Sequence, residues 1–526
     1  MAKIVVCDHI HAKGLEILGA AKDVEVVNLA DVDKKTLLTM LGDVDVAITR
    51  SSTDVDHAFL DAAPRLKAIV RAGVGVDNVD IQECSRRGII VMNVPTANTI
   101  AAVELTMAHM LSCMRAFPYA HGQLKNDRIW KRENWYGREL FGKKLGIIGF
   151  GNIGSRVGVR AKAFGMEVIA YDPYIPPHKA TDLGVAYTTD FEDILGCDII
   201  TIHTPKTKET INMITAKEIA RMKDGVVLIN CARGGLYNED DLYEGLKSGK
   251  IAFAGIDVFN KEPATDNKLL DLPNVTVTPH LGANTIESQE KIAIEAAQQA
   301  LDAARGIGYP NALNLPVKES EIKDEIRPYF ELIQKMGFLA AQLNKGAINS
   351  IKVIAEGEIA DYLDSLLTFA VVGVLRESIG EQINYVNAQF VAQERGIALQ
   401  TLPKPNQSGY KNRLTIKLTT AKEVTMISGT IFDETNLRIV NINGFELDVE
   451  PKGKMIVLKN YDVPGVIGEI GTVLGRHKIN ISDFRLGRGG DGKALAVILL
   501  DSEPDAVVLE ELSAIQATIS LSFAEI

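Results

Sequence analysis

The segment Gly149-Phe150-Gly151-Asn152-Ile153-Gly154 constrains this chain more than any other. It lies between the apolar run Leu145–Ile148 and a helical pattern carrying Val157, Arg160 and Ala161, so it reads as the turn of a strand–turn–helix unit. The first glycine permits the tight turn, the second lets backbone approach a pyrophosphate, and the third lets helix and strand pack closely. The helix N-terminus adds free N–H groups and a favourable dipole for phosphate. The next strand, Glu167–Tyr171, ends at Asp172, about 20 residues past the last glycine. A carboxylate there would bond ribose hydroxyls and repel a 2′-phosphate. Gly149, Gly151, Asn152, Ile153, Gly154 and Asp172 are therefore candidate contacts of a dinucleotide, with NAD favoured over NADP. The competing reading is a glycine-rich turn that binds nothing.

The same alternation of strand and helix extends on both sides. Predicted strands fall at Ile4–Cys7, Val24–Val27, Val46–Ile48, Ala68–Val70 and Ile89–Met92. A second series runs from Lys143 to about Pro279, with strands at Leu145–Gly149, Glu167–Tyr171, Ile199–His203, Val226–Asn230, Ala252–Asp257 and Val275–Thr278. Strands alternating with helices imply parallel sheets, so the expected class is α/β with two doubly wound domains. Long helices at Thr99–Phe117, capped by Asn98 or Thr99, and at Asn284–Arg305 flank the second series, and residues 120–140 form a polar stretch. Gly306–Asn311 and Leu315-Pro316 read as a linker. Residues 317–450 then mix helices with Thr-, Val- and Ile-rich strands, an α+β pattern. Past Lys452-Gly453 the order is strand, helix, strand, strand, helix, strand, which is ferredoxin-like.

A formal net charge of -11 argues against nucleic acid as a partner, because phosphate backbones need a basic face. The five cysteines are widely spaced with no CxxC pair, so neither a disulfide framework nor a metal site is expected. No run reaches the ~18 apolar residues of a membrane span. The N-terminal Met1–Val6 reads as a strand, and the chain is expected to be soluble and cytoplasmic, with no membrane partner.

Three further segments carry chemistry. Asn230-Cys231-Ala232-Arg233-Gly234-Gly235, Asp257-Val258-Phe259 with Glu262-Pro263, and Thr278-Pro279-His280-Leu281-Gly282-Ala283 each sit at the C-terminal end of a predicted strand. Doubly wound sheets bind ligands at those ends. Oxidising a 2-hydroxy acid needs a base for the hydroxyl proton, and histidine titrates in the right range. A neighbouring carboxylate would orient the ring and raise its pKa, and an arginine fork would hold a carboxylate. By spacing alone, His280 is equally readable as a packed loop residue and Arg233 as a surface turn.

Taken together, Gly149–Gly154, Asn230–Gly235, Asp257–Pro263 and Thr278–Ala283 resemble the D-isomer-specific 2-hydroxyacid dehydrogenases. The resemblance implies Arg233 for the substrate carboxylate, His280 as acid/base and Glu262 as its partner. It places Asp257 near the nicotinamide amide, and Cys231, Ala232, Gly282 and the Thr204-Pro205 loop as further cofactor contacts. Arg50-Ser51-Ser52-Thr53 and the run Arg71–Asp80 are similar to the phosphoglycerate dehydrogenase branch. There the backbone at Val74-Gly75 would share the carboxylate, Arg50 and Arg71 would hold a phosphate, and Asn98 would be a further contact. Trp130-Lys131-Arg132 resembles a segment that reaches a neighbouring subunit's active site. The implied substrates are D-3-phosphoglycerate and 3-phosphohydroxypyruvate.

The branch's architecture implies a substrate domain of residues 1–98 and 284–306, a cofactor domain of 99–283, an intervening domain of 317–451 and an ACT domain of 452–526. Lys459-Asn460-Tyr461-Asp462-Val463-Pro464-Gly465 is similar to the amino-acid-binding turn of ACT domains, with Asn480 a further match. Asn460, Asp462, Gly465 and Asn480 are thus candidate regulatory residues for L-serine, and a homo-oligomer, expected as a tetramer, is implied. A dimerisation module without ligand remains the competing reading of this segment. The competing readings of the whole are a reductase of glyoxylate, hydroxypyruvate or another D-2-hydroxy acid, and an NAD-sensing corepressor-like protein.

Overall fold

The computed structural model describes residues 1–317, 322–344, 346–406 and 409–526, so the expected opening of the intervening domain at 318–321 lies outside the described residues. Four separate sheets form among the described residues. Strands β1 (Ala2–Val6), β2 (Val24–Asn28), β3 (Val46–Thr49), β4 (Ala68–Arg71) and β5 (Ile90–Asn93) make an all-parallel sheet in the order β2-β1-β3-β4-β5. Strands β3, β4 and β5 are buried along nearly their whole length, which explains their near-continuous apolar runs. The helix Ile286–Arg305 returns to this sheet and packs Ile292, Ala296, Ala297 and Ala300 on it.

The second sheet is also parallel. Its strands β6 (Lys144–Ile148), β7 (Glu167–Tyr171), β8 (Ala186–Thr188), β9 (Ile199–Ile202), β10 (Val226–Asn230), β11 (Ile251–Ile256) and β12 (Val275–Val277) lie in the order β12-β11-β10-β9-β6-β7-β8. The chain direction across the sheet reverses between β6 and β9, and the crevice at such a switch point is where ligands settle. Strand β8 is absent from the sequence reading, because three residues are too few to show a period.

Two expectations fail locally. The helix expected over Thr99–Phe117 stops at Arg115, where Ala116 takes a left-handed conformation with φ 47°, and a second helix, Phe117–Lys125, leaves at 68°. Pro118 is the cause: it has no N–H to give to the carbonyl of Met114, and its ring would strike that group. Arg138 N–H bonds the freed carbonyl at 2.8 Å instead. The stretch expected to be merely polar therefore begins as helix, and Trp135 stacks on Tyr119 at 6.2 Å.

The segment expected to be a linker is a clamp. Ala312 bridges Met92 antiparallel to the sheet edge, and Leu313 N–H bonds Val91 O at 2.8 Å. Asn314 accepts from Val91 N–H at 2.9 Å and donates to Ser85 Oγ and Ile89 O, both at 2.9 Å. An edge strand otherwise presents unpaired backbone groups, and this segment covers that of β5.

The third unit has the mixed sheet β14-β13-β15-β16-β17-β18, formed by β13 (Ile348–Glu356), β14 (Ala398–Lys404), β15 (Arg413–Thr420), β16 (Val424–Phe432), β17 (Asn436–Ile442) and β18 (Phe445–Val449). The helices Arg327–Leu343 and Leu363–Ile379 pack on each other and on this sheet. The C-terminal unit is an antiparallel sheet, β20-β21-β19-β22, of β19 (Lys454–Tyr461), β20 (Ile481–Arg488), β21 (Lys493–Leu500) and β22 (Thr518–Glu525). The helices Val466–Arg476 and Ala506–Ser513 cover one face, and Met455, Val457 and Val497 on the other join the core of the third unit. Among the described residues no single helix is long and apolar enough to cross a membrane.

Replacing Asn314 by Ala strands Val91 N–H and Ile89 O. Hydrogen exchange of Val91 should then report a local opening easier by about 1–3 kcal/mol. Unchanged protection across β5 would show that Asn314 is not the clamp.

Candidate active site

A cleft of about 630 Å³ opens between the C-terminal ends of the first two sheets. Arg50 follows β3 and Arg71 ends β4 on one side, while Arg233 follows β10 and His280 follows β12 on the other. All four line the cleft with Glu262, Val74, Gly75 and Asn98, so the structure brings the expected acid–base group and substrate contacts together.

His280 Nδ1 lies 2.8 Å from Glu262 Oε2, and Glu262 Oε1 accepts from Phe259 N–H at 3.0 Å. A carboxylate can only accept, so Nδ1 carries hydrogen and Nε2 is left to exchange a proton. The hydrogen bond to Glu262 raises the His280 pKa above its usual 6.5, against the burial that lowers it. Burial pushes Glu262 up, but the bonds from His280 and Phe259 outweigh it and hold the carboxyl below its usual range.

The arginines form one cationic cluster. Burial first, then the Arg50 and Arg233 charges, push Arg71 down to about 10. Arg50 donates to His9 O at 2.9 Å, and Arg233 donates to Ala232 O at 2.7 Å and pairs with Asp77 at 3.1 Å. A cluster of like charges in a half-buried cleft is unfavourable unless an anion joins it.

The cofactor motif has the geometry its glycines require. Gly149 sits at φ 85° and Gly154 packs so closely that a Cβ would lie 2.1 Å from Gly149 O. A Cβ on Gly151 would meet nothing within 4 Å among the described residues, which leaves that face of the turn open to a ligand. Asp172 accepts from Phe150 N–H at 2.8 Å and Tyr174 N–H at 3.0 Å, keeping a lone pair on each oxygen for hydroxyl donors. Asn152, Ile153, Thr204, Pro205, Cys231, Ala232 and Gly282 line the cleft itself. Arg71 Nε, Asn98 Oδ1 and Thr204 Oγ1 are buried along it without a hydrogen-bond partner among the described residues. Buried polar atoms are normally satisfied, so the cleft is shaped for ligands rich in polar groups, and the residues fit NAD. Asn98 occupies the N-cap of the helix Thr99–Arg115 but makes no cap bond with its side chain, contrary to the expected cap.

Asp257 differs from expectation. It is fully buried, and its carboxylate accepts from Thr278 Oγ1 at 2.6 Å, Leu281 N–H at 2.7 Å and Gly282 N–H at 3.0 Å. It holds the His280 turn instead of facing the cleft. The sequence also gave no sign of Asp77 or of His109, whose Nε2 lies 2.7 Å from Thr278 Oγ1.

In the C-terminal unit a second cavity of about 370 Å³ is lined by Asn460, Asp462 and Gly465. Asn460 is buried with Oδ1 unpartnered among the described residues, and Asp462 accepts from Arg488 Nε at 2.6 Å. Asn480 is not brought there: it bonds Asp501 at the opposite end of the sheet.

The fold and cleft define a dehydrogenase of the NAD-binding 2-hydroxyacid type. Residues 107–282 match the D-isomer specific 2-hydroxyacid dehydrogenase NAD binding domain, 325–443 the D-3-phosphoglycerate dehydrogenase intervening domain, and 454–517 the ACT domain. The chain is 38% identical over 531 residues to a D-3-phosphoglycerate dehydrogenase of Bacillus subtilis, covering 100% of both, and 37% identical over 530 residues to that of Archaeoglobus fulgidus, again covering 100% of both. A solved D-lactate dehydrogenase of Aquifex aeolicus, complexed with NAD and lactic acid, is 30% identical, with a TM-score of 0.51 over 58% of this chain and 96% of that one. The chain belongs to the D-3-phosphoglycerate dehydrogenase family.

The two inner glycines separate binding from folding. Gly151→Ala should fold as the native chain does and weaken NAD binding at least tenfold in a calorimetric titration, whereas Gly154→Ala should destabilise the cofactor sheet by about 1–3 kcal/mol through overpacking. Native NAD affinity in Gly151→Ala would place the pyrophosphate elsewhere.

Proposed function

We propose that this protein oxidises D-3-phosphoglycerate to 3-phosphohydroxypyruvate with NAD. The observation that carries the reading is the convergence of three guanidinium groups, Arg50, Arg71 and Arg233, on the cleft that holds the His280–Glu262 pair. The substrate is a carboxylate and a phosphate flanking one secondary alcohol, and its charge matches that cluster. Arg233 with the Val74-Gly75 backbone holds the carboxylate, and Arg50 and Arg71 hold the phosphate. NAD, when bound, supplies the hydride acceptor. His280 Nε2 takes the hydroxyl proton, and Glu262 keeps the ring oriented and stabilises the imidazolium. Removing the phosphate removes two of the three charge contacts, which disfavours glyoxylate, hydroxypyruvate and lactate as substrates.

The same reading includes the division 1–98 with 284–306, 99–283, 317–451 and 452–526, which the four separate sheets support. It also includes a cytoplasmic homo-oligomer, expected as a tetramer, and feedback by L-serine at the cavity of Asn460, Asp462 and Gly465. An amino acid's ammonium group suits Asp462, and its donors suit the unpartnered Asn460 Oδ1.

Initial rates followed through NADH at 340 nm, in both directions, test this. Turnover of the phosphorylated pair that falls on adding L-serine is expected; no turnover of either phosphorylated substrate contradicts the assignment, and indifference to serine contradicts the effector alone. The pH profile tests the mechanism. Oxidation needs neutral His280, so its kcat/KM should fall roughly tenfold per unit below an inflection above pH 6.5. Reduction needs the protonated ring and should fall above the same inflection. In Glu262→Gln the raising interaction is lost and both inflections should move down; inflections that stay in place would remove Glu262 from the proton-transfer machinery.

A further inference from the structure

Among the described residues two carboxylates line the cleft, and they are engaged differently. Glu262 is bonded to His280 and to Phe259 N–H. Asp77, on the loop after Gly75, pairs with Arg233 Nε at 3.1 Å and is 61% exposed. The third acid near the arginines, Asp8, is buried and accepts from Arg50 N–H and from Thr53 Oγ1, so it cannot move into the cleft. The place of Asp77 is informative. A Cβ on Gly75 would lie 2.4 Å from Arg233 Nη2 and 3.1 Å from Asp77 Oδ2, so the guanidinium and the carboxylate both rest against Gly75. That is the surface expected to hold the substrate carboxylate. A protein carboxylate therefore sits on the arginine and backbone that the substrate would use.

We propose that Asp77 is an internal counter-ion occupying the carboxylate seat on Arg233, which a ligand must displace to bind. The inference rests on the substrate reading above and adds a source of specificity to it. A ligand with a carboxylate alone exchanges one anion for another at Arg233 and gains little. A ligand that also brings an anionic group to Arg50 and Arg71 gains contacts that Asp77 does not make, since among the described residues its ion pair is with Arg233. Asp77 is a specificity-determining residue in this sense: it raises the threshold for every carboxylate and leaves the doubly anionic ones above it. It also neutralises part of a cluster in which burial and the charges of Arg50 and Arg233 lower the pKa of Arg71.

The test is Asp77→Asn, with Asp77→Ala as the second variant; the exposed loop position tolerates both. Removing one negative charge at contact range in a half-solvated site should tighten anion binding by roughly fivefold to twentyfold. The KM for D-3-phosphoglycerate should fall by that factor and kcat/KM should rise. Malonate, titrated calorimetrically into the NADH complex, should bind tighter by a similar factor, and the gain should shrink as salt is raised. A raised KM, or malonate affinity unchanged in both variants, would overturn the proposal and leave Asp77 as a residue that merely orients Arg233. The two readings fail separately. If the native chain does not turn over D-3-phosphoglycerate but malonate still tightens in the variants, the counter-ion stands and the substrate assignment falls. If turnover is as proposed and malonate is indifferent, the reverse holds.

Discussion

The fully buried carboxylate of Asp257 fixes the acid–base geometry. It gathers the hydroxyl of Thr278 and the N–H groups of Leu281 and Gly282, while its backbone carbonyl accepts from His280 N–H at 2.9 Å. These bonds hold His280 at φ 52°, a conformation that costs a non-glycine residue about 1–3 kcal/mol. Thr278 has one hydroxyl hydrogen and gives it to Asp257, so its oxygen can only accept from His109 Nε2 at 2.7 Å. His109 lies on the helix Thr99–Arg115, which joins the two sheets. The turn that carries the acid–base group is thereby tied to the helix that leads from the first sheet to the second.

Electrostatics set the rest of the site. Three arginines at strand ends would repel one another in a half-buried cleft, and the structure tempers this only partly, with Asp77 on Arg233 and the carbonyl of His9 on Arg50. Arg71 keeps a buried Nε without a partner among the described residues. The arrangement is stable enough to form because the strands beneath are packed, and it is left electrostatically incomplete where an anionic ligand completes it. The C-terminal cavity is connected to this framework by packing. The C-terminal sheet shares a core with the third unit, and that unit in turn inserts Val386 into the core of the first sheet and bonds Gly88 O through Asn384 at 2.9 Å.

Much of this was legible in the residues. The two parallel sheets followed from Val/Ile runs punctuated by helices, and the ferredoxin-like order of the last unit was readable because apolar strand runs such as Met455–Leu458 and Ala494–Leu500 are separated by helical and turn segments. The glycine turn was legible from its strand, helix and following acid, whereas spacing left Arg233, Glu262 and His280 open, and their roles came from the resemblance of their segments to the 2-hydroxyacid dehydrogenases. What stayed hidden depended on long-range geometry. Asn314 looks like any loop polar residue until it meets β5, and Asp77 is one acid among many until Arg233 folds against Gly75. Asp257 was read as a cofactor neighbour because the motif places it near the site, and only the bonds from Leu281 and Gly282 show it facing the protein. Asn480 matched a pattern in sequence but lies at the wrong end of the sheet within one chain.

The central claim is that Arg50 and Arg71 read the phosphate while His280 and Arg233 perform the reaction common to 2-hydroxy acids. The most direct measurement is the ratio of kcat/KM for D-3-phosphoglycerate to that for D-glycerate, in the native chain and in Arg71→Gln. The account predicts a large ratio in the native chain that collapses by roughly two orders of magnitude in the variant, since charged hydrogen bonds to phosphate contribute ~1.5–3 kcal/mol each. D-glycerate turnover should change little by comparison. A variant that loses both activities equally, with the ratio preserved, would contradict the assignment of the phosphate to these arginines.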